Sequence, residues 1–537
     1  MFGILSLAVR TQEWLDEYNE KHKKKRSRRG QSSHKDTITI KTIKNEIFAD
    51  IDKIAGGTHL GGQEEVSLET VMAEFKLSNA TLRRMMDHMS KNMDLGLEGG
   101  LDKSTIAMLP SFVPELPDGT EQGKFIAMDL GGTNLRVMIM EIEPGEEMKS
   151  MMFNTRIPNW AMNGTGEQLF DFIAKCLSDF LYEKGVQNDG LSVGFTFSYP
   201  CDQTSLRSAK LLRWTKGFRA SGVVGKDIVV LLEEAISRLE KKINVEIVAL
   251  INDTVGTMVA AAHQEGSACH IGAIIATGTN ASYLENTSKI KHGLMRATES
   301  YDYPQMIIDT EWGGFGDGKE ADYIMTQYDK VVDSMSEHPG VNTLDKLVAG
   351  KCMGELVRLV LVRLTDGGVL FAGEGSDLLY EPNSFPTKYI SEILSDESGS
   401  YANTRQIMGE LGIESFTFSD ILLVREVCIV VSRRCANLGA AAIACVLNRV
   451  RQPNMVVGVD GSTYKYHPFF NFWVTEKLKE LVDPDLKFKV LLTGDGSGKG
   501  AALIAAIIAR LKKRKQLKEQ KENKPDMIVL DEPQFEK

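Results

Sequence analysis

A chain of 537 residues, 42% hydrophobic and 25% charged, can bury a large core and has an ordinary globular composition. Its net charge of -10 argues against a general nucleic-acid binder, whose footprint is basic, but leaves room for a single nucleotide held by glycine amides and a few cations. Seven dispersed cysteines, with no CxxC pair and no Cys/His cluster at zinc spacing, fit buried thiols in a reducing compartment rather than a disulfide framework or a zinc site.

Residues 1–60 read as an N-terminal extension, disordered in part. The opening MFGILSLAV is apolar, but no Lys or Arg precedes it, so it is a poor secretory signal. No segment reaches the roughly 20 consecutive apolar residues that a bilayer needs. The expectation is a cytoplasmic chain. A basic run from Lys21 to Arg29 follows, of the kind that usually stays solvated.

Ser78 then precedes a helical stripe of Leu82, Met85, Met86, Met89 and Met93, which reads as core packing. From Phe125 the pattern changes. KFIAMDLGGTNLRVMIMEI reads as two strands joined by a glycine turn. IVALI is a further strand, ending at the adjacent polar pair Asn252 and Asp253, with a helix through Thr254–Ala262 behind it. AIIATGTNASYL reads strand, glycine turn, strand; MVVGVDGSTY supplies another strand; KVLLTGDGSGKGAALIAAIIARL reads strand, glycine loop and long apolar helix. Residues 514–537 continue as a charged tail. Alternating strands and helices make the class α/β, and its glycine turns follow strand ends, where ligands bind in open α/β sheets.

Three loops suit phosphate. In Asp129-Leu130-Gly131-Gly132-Thr133-Asn134, the glycines can expose N–H groups to an anion and Thr133 adds a hydroxyl. Asp129 repels a phosphate directly but favours it through a divalent cation and water. Thr277-Gly278-Thr279-Asn280 has the same grammar. Asp495-Gly496-Ser497-Gly498-Lys499-Gly500 stands at a helix start, which favours anions. The last resembles a Walker A fragment but fails its spacing: three residues separate Gly494 from Gly498, and Gly500 rather than Ser or Thr follows Lys499.

With these loops in place, the chain resembles the eukaryotic hexokinase family, glucokinase included. The resemblance is carried by MLPSFVPELPDGTEQGKFIAMDLGGTNLRV, GFTFSYPCDQTSL, WTKGF, INDTVGTM, TEWGGFGD, GKCMGELVR, VVSRRCANLGAAA, VGVDGSTYKYHP and GDGSGKGAAL, in family order from about residue 66 to 511. It implies an actin-like ATPase (ribonuclease H-like) fold of a single catalytic unit, with two domains around a cleft. By analogy, 61–119 and 254–494 form the large domain, and 120–253 with 495–513 the small one. It also implies phosphorylation of a hexose, glucose first, at its 6-hydroxyl by ATP with Mg²⁺, the first step of glycolysis. The competing reading is a catalytically weak sugar sensor on the same fold, since fold does not guarantee activity.

The resemblance assigns roles residue by residue. Asp253 would accept the sugar proton, and Lys216 would supply positive charge beside the transferring phosphoryl. Ser198, Thr215, Lys216, Asn252, Asp253, Asn280 and Glu311 would contact the sugar. For ATP, Asp129 would organise Mg²⁺ through water. Gly132, Thr133, Asn134, Arg136 and Thr277 would line the phosphate path, with Lys351 reaching toward it. Gly461, Ser462 and Ser497 would lie near the adenosine end. The competing role for Asp253 is a helix N-cap, which Asp fills well. Some hexokinases attach to mitochondria through an apolar start, and MFGILSLAV with Trp14, Leu15 and the basic run could act similarly.

Four positions depart from the family pattern. Asp345 stands where a second sugar-binding Glu is usual, predicting a longer or water-bridged hydroxyl contact. Ala276 replaces a glycine at the start of the second loop, Gly494 replaces an acid in the third, and ESYDYPQM replaces the usual glycine-acid loop before TEWGG.

Overall fold

The computed structural model describes residues 66–522, except Thr133, Thr215, Lys216, Ser267, Ala268, Glu299 and Ser398, with backbone alone for 518–522. The readings made for residues 1–60 and for the end of the charged tail fall outside the described residues, as do Thr133, Thr215 and Lys216.

Thirteen strands are described: β1 (Leu109–Pro110), β2 (Gly123–Leu130), β3 (Asn134–Ile142), β4 (Lys149–Arg156), β5 (Leu191–Phe197), β6 (Cys201–Ser205), β7 (Ser208–Leu211), β8 (Val245–Ile251), β9 (Cys269–Ile275), β10 (Thr279–Asn286), β11 (Gln305–Asp309), β12 (Met455–Asp460) and β13 (Phe488–Leu492). They form a five-stranded sheet in the order β4-β3-β2-β5-β8, a six-stranded sheet in the order β1-β11-β10-β9-β12-β13, and a hairpin of β6 and β7. The helices that matter for the site are α1 (Asn79–Gly99), α2 (Gly166–Lys184), α3 (Ile228–Arg238), α4 (Asp253–Glu265), α5 (Thr343–Val348), α6 (Gly350–Asp366), α7 (Phe418–Val450), α8 (Phe470–Leu481) and α9 (Gly496–Glu522).

Local chemistry explains where these elements begin and what they bury. The Ser78 hydroxyl accepts the Thr81 N–H at 3.1 Å and caps α1. The predicted stripe from Leu82 to Met93 is wholly buried, in one apolar cluster with α6, α7 and the six-stranded sheet. The helices α2 and α3 pack with the five-stranded sheet in a second cluster. Over an 18-residue window α7 is apolar enough, and long enough, to cross a membrane, which corrects the expectation that no segment is. That window is 78% buried inside the protein, as befits a core helix.

A third cluster sets the site. It joins residues of α4 and α9 to Phe125, Ala127 and Val248 of the first sheet and to Cys269, Ile307 and Val456 of the second. The two helices cross at backbone contact. A Cβ on Gly500 would lie 2.1 Å from the Gly256 carbonyl oxygen, and one on Gly194 of β5 would lie 2.1 Å from that of Ala501. Only glycine permits this approach. It brings the N-terminus of α9, with Ser497, to the first sheet beside the start of α4, which carries Asp253 at its first position.

Candidate active site

Strand β8 runs parallel to β5 and ends at Ile251, so the next two residues emerge at the carboxyl end of the sheet. Asn252 is the N-cap of α4. Its Oδ1 accepts from the Thr254 N–H and from the Thr254 hydroxyl, both at 2.9 Å. The alternative role weighed for Asp253 is thereby assigned one residue earlier: Asn252 caps, and Asp253 occupies the first helical turn. Among the described residues the half-buried Asp253 carboxylate takes no hydrogen bond, which leaves it for a substrate hydroxyl.

On one side of Asp253 stands the first phosphate loop. Asp129 and Arg136 are direct cross-strand partners in the β2–β3 hairpin. Arg136 Nη2 pairs with Asp129 Oδ2, its Nη1 donates to Asp495 Oδ1 at 2.5 Å, and Nη2 also donates to the Ser497 hydroxyl at 2.9 Å. Ser497 Oγ in turn donates to Asp129 Oδ2 at 2.9 Å. The first and third loops are thus tied together through one guanidinium. Burial pushes the Asp129 carboxyl above its ordinary value, Arg136 opposes the shift, and the Asp253 charge adds to it. Burial lowers the Arg136 pKa, but Asp129 and Asp495 outweigh it and leave the guanidinium more firmly protonated. Gly132 sits at φ +95, a conformation glycine adopts without strain.

The loops are joined again on the far side of the third. Asp460 accepts the Gly496 N–H at 2.9 Å through Oδ2 and the Gly461 N–H at 2.7 Å through Oδ1. Burial raises the Asp460 pKa against those two donors. The second loop is held by backbone: the Ala276 carbonyl accepts from the Gly350 N–H at 2.8 Å and from the Thr463 hydroxyl at 3.0 Å. Ala276 has no positive φ, so its methyl is accommodated. Gly461 makes room for it, at φ +124, where a Cβ would meet the Ala276 Cβ at 3.0 Å and the Ile275 oxygen at 2.3 Å.

Also near Asp253 is a cluster of sugar-facing candidates. Asn280 Nδ2 donates to Asp309 Oδ1 at 2.7 Å and to Glu311 Oε1 at 3.0 Å. Burial pushes the Asp309 carboxyl well above its ordinary value, with Glu311 next in effect and Asp253 contributing. Ser198 is buried beside the first loop: its N–H donates to the Leu130 oxygen at 3.3 Å, and its hydroxyl stands 3.6 Å from where a Gly131 Cβ would be. Next to it, the Tyr199 hydroxyl donates to the Gly132 oxygen at 3.3 Å, and its ring packs edge-on against Trp214 and Phe218 of the WTKGF segment.

Several residues also make protein contacts that the sequence did not show. Asp345, expected on a sugar hydroxyl, accepts the Thr279 N–H at 2.5 Å, so its carboxylate braces the second loop. Ser497, expected toward adenosine, is bound to Asp129 and Arg136. The Lys351 side chain is exposed and 3.6 Å from Glu337; its link to the second loop is its N–H, which donates to the Thr277 oxygen at 3.3 Å. Asn134, Thr277 and Ser462 are exposed and stand at their loops. Sequence reasoning missed Asp309, Asp460 and Tyr199, and gave Asp495 no role of its own within the third loop. Asp309 and Asp460 each close an apolar strand, the same signal that singles out Asn252 and Asp253.

Comparison with known proteins accords with this geometry. Two family models, both described as hexokinase, match residues 67–263 and 270–507. The hexokinase of Brugia malayi is 76% identical over 449 residues, covering 84% of this chain and 78% of that protein. Hexokinase-1 of Homo sapiens is 42% identical over 459 residues, again 84% of this chain but 49% of that protein, so the chain spans about half the length of that relative. The structure of a Schistosoma mansoni hexokinase complexed with glucose superposes with a TM-score of 0.74 at 38% identity, covering 86% of this chain and 99% of that one. Its fold is therefore the two-domain actin-like ATPase type, and the chain belongs to the hexokinase family.

Proposed function

We propose that this enzyme transfers the terminal phosphoryl group of MgATP to the 6-hydroxyl of a hexose, with Asp253 as the proton acceptor and glucose as the first candidate substrate. The observation that carries the assignment is the position of Asp253. Its charge acts on Asp129 in the phosphate-loop network and on Asp309 in the Asn280–Glu311 cluster. One carboxylate is therefore near both the phosphate-loop network and the Asn280–Glu311 cluster. Support for glucose is that the related Schistosoma structure holds it.

A sugar alcohol is a poor nucleophile until its proton can leave as the bond to phosphorus forms. The Asp253 carboxylate accepts that proton, and Asn252, Asn280 and Glu311 orient the sugar. With Asn252 Oδ1 committed to the helix cap, its Nδ2 is the group left for a sugar oxygen. Lys216 is assigned the positive charge beside the phosphoryl group on the strength of the intact WTKGF segment. For Mg²⁺, Asp129 offers a fitting group: its Oδ1 is buried and has no hydrogen-bond partner among the described residues. A hard cation prefers such an oxygen, directly or through water. Bound there, it would neutralise charge on the phosphates. Closure over the sugar would exclude water as a competing acceptor.

Asp253→Asn and Asp253→Ala test the assignment. Positioned general bases contribute about 10²- to 10⁴-fold, so kcat is expected to fall about 1,000-fold or more while glucose binding by calorimetry stays within a few-fold. Turnover within about tenfold of wild type would remove Asp253 from the role.

A further inference from the structure

Asp309 is the least expected group in the sugar cluster. It ends β11 and is 6% exposed. Its Oδ1 accepts from Asn280 Nδ2, the same nitrogen that donates to Glu311 Oε1. Glu311 itself sits at φ +50, a left-handed conformation uncommon outside glycine. Such a conformation persists where surrounding contacts over-determine it. The other end of the Asn280 amide is also held: its Oδ1 accepts from the Ala281 N–H at 2.7 Å. Turning the amide over would set its nitrogen against the Ala281 N–H and its oxygen against the Asp309 and Glu311 carboxyl oxygens.

We propose that Asp309 is a positioning residue for the sugar site, holding the Asn280 amide in the orientation that presents its nitrogen to Glu311. The proposal rests on the reading that Asn280 and Glu311 bind the hexose. A buried carboxyl beside Glu311 and Asp253 is electrostatically unfavourable, and burial with the Glu311 charge raises its pKa accordingly. What the carboxyl adds is an acceptor oxygen for the Asn280 amide. Asp309 need not touch the sugar to set its affinity.

Steady-state rates against glucose and against MgATP test this in wild type, Asp309→Ala, Asp309→Asn and Glu311→Gln. Loss of a hydrogen bond to a charged group corresponds to about 10- to 100-fold, so D309A is expected to raise the glucose KM by that factor. The MgATP KM and the thermal midpoint should stay close to wild type, a split that a merely structural role would not produce. Asp309→Asn keeps an acceptor for Asn280 and should recover most of the loss. If D309A does not fold, Asp309→Ser, which lacks the reach, is read in its place. A wild-type glucose KM in D309A, with E311Q impaired, overturns the proposal and spares the sugar assignment. Parallel rises in both KM values, or no rescue by D309N, also overturn it. An unchanged glucose KM in E311Q instead removes the sugar assignment on which the proposal stands.

Discussion

Asp345→Ala separates two accounts of a residue that sequence and structure describe differently. The sequence places Asp345 on a sugar hydroxyl; the structure places its Oδ1 2.5 Å from the Thr279 N–H, at the first turn of α5. Thr279 is 5% exposed, so water cannot readily replace the lost acceptor. A hydrogen bond to a charged group contributes about 1.5–3 kcal/mol, and an acid in a helix first turn adds about 0.3–1 kcal/mol. The second loop should therefore lose about 2–4 kcal/mol of local order. That loop carries Thr277 on the phosphate side and Asn280 on the sugar side, so both KM values should rise, each by about tenfold or more. Asp345→Asn, which retains an oxygen, should show much smaller effects. The assay is a coupled measurement of glucose 6-phosphate with each substrate varied in turn. If D345A raises the glucose KM alone, Asp345 acts as a direct sugar contact and bracing of the loop is not its role.

Two further outcomes follow from buried groups. Ser497→Ala removes the hydroxyl that bridges Asp129 and Arg136 at 2.9 Å to each, and should raise the MgATP KM about tenfold with the glucose KM unchanged; an equal rise in both would refute a phosphate-end role. His467 is buried against Phe470 and Trp473, and burial lowers its pKa from 6.5 to about 4. The fold favours its neutral form, so its contribution is present above the ordinary histidine value and is lost as pH falls through about 4. Between pH 7 and about 4.5 that loss is worth about 2–3 kcal/mol, and His467→Phe should flatten the fall in thermal stability over the window; an identical slope in the variant would refute it.

Much of this protein is decided by local sequence. The stripe from Leu82 to Met93, the hairpin around DLGGTN and the strand that stops at Asn252 and Asp253 all follow from periodicity and turn chemistry, which act over a few residues. The motif order from residue 66 to 511 likewise identifies the family and Asp253 within it. What short-range pattern cannot supply is the partner of a buried polar group, because that partner lies far along the chain. Arg136 meets Asp495 and Ser497 only because α4 and α9 cross at Gly256 and Gly500. Asp309 reads in sequence as a strand-ending acid, and only the β10–β11 pairing brings it to Asn280. Asp345 reads in sequence as a shortened sugar ligand, and only the fold shows its carboxylate on the Thr279 amide. Chain pattern determined the elements and singled out Asp253; tertiary packing decided which side chains hold its neighbours in place, because buried charges must find partners wherever the fold delivers them.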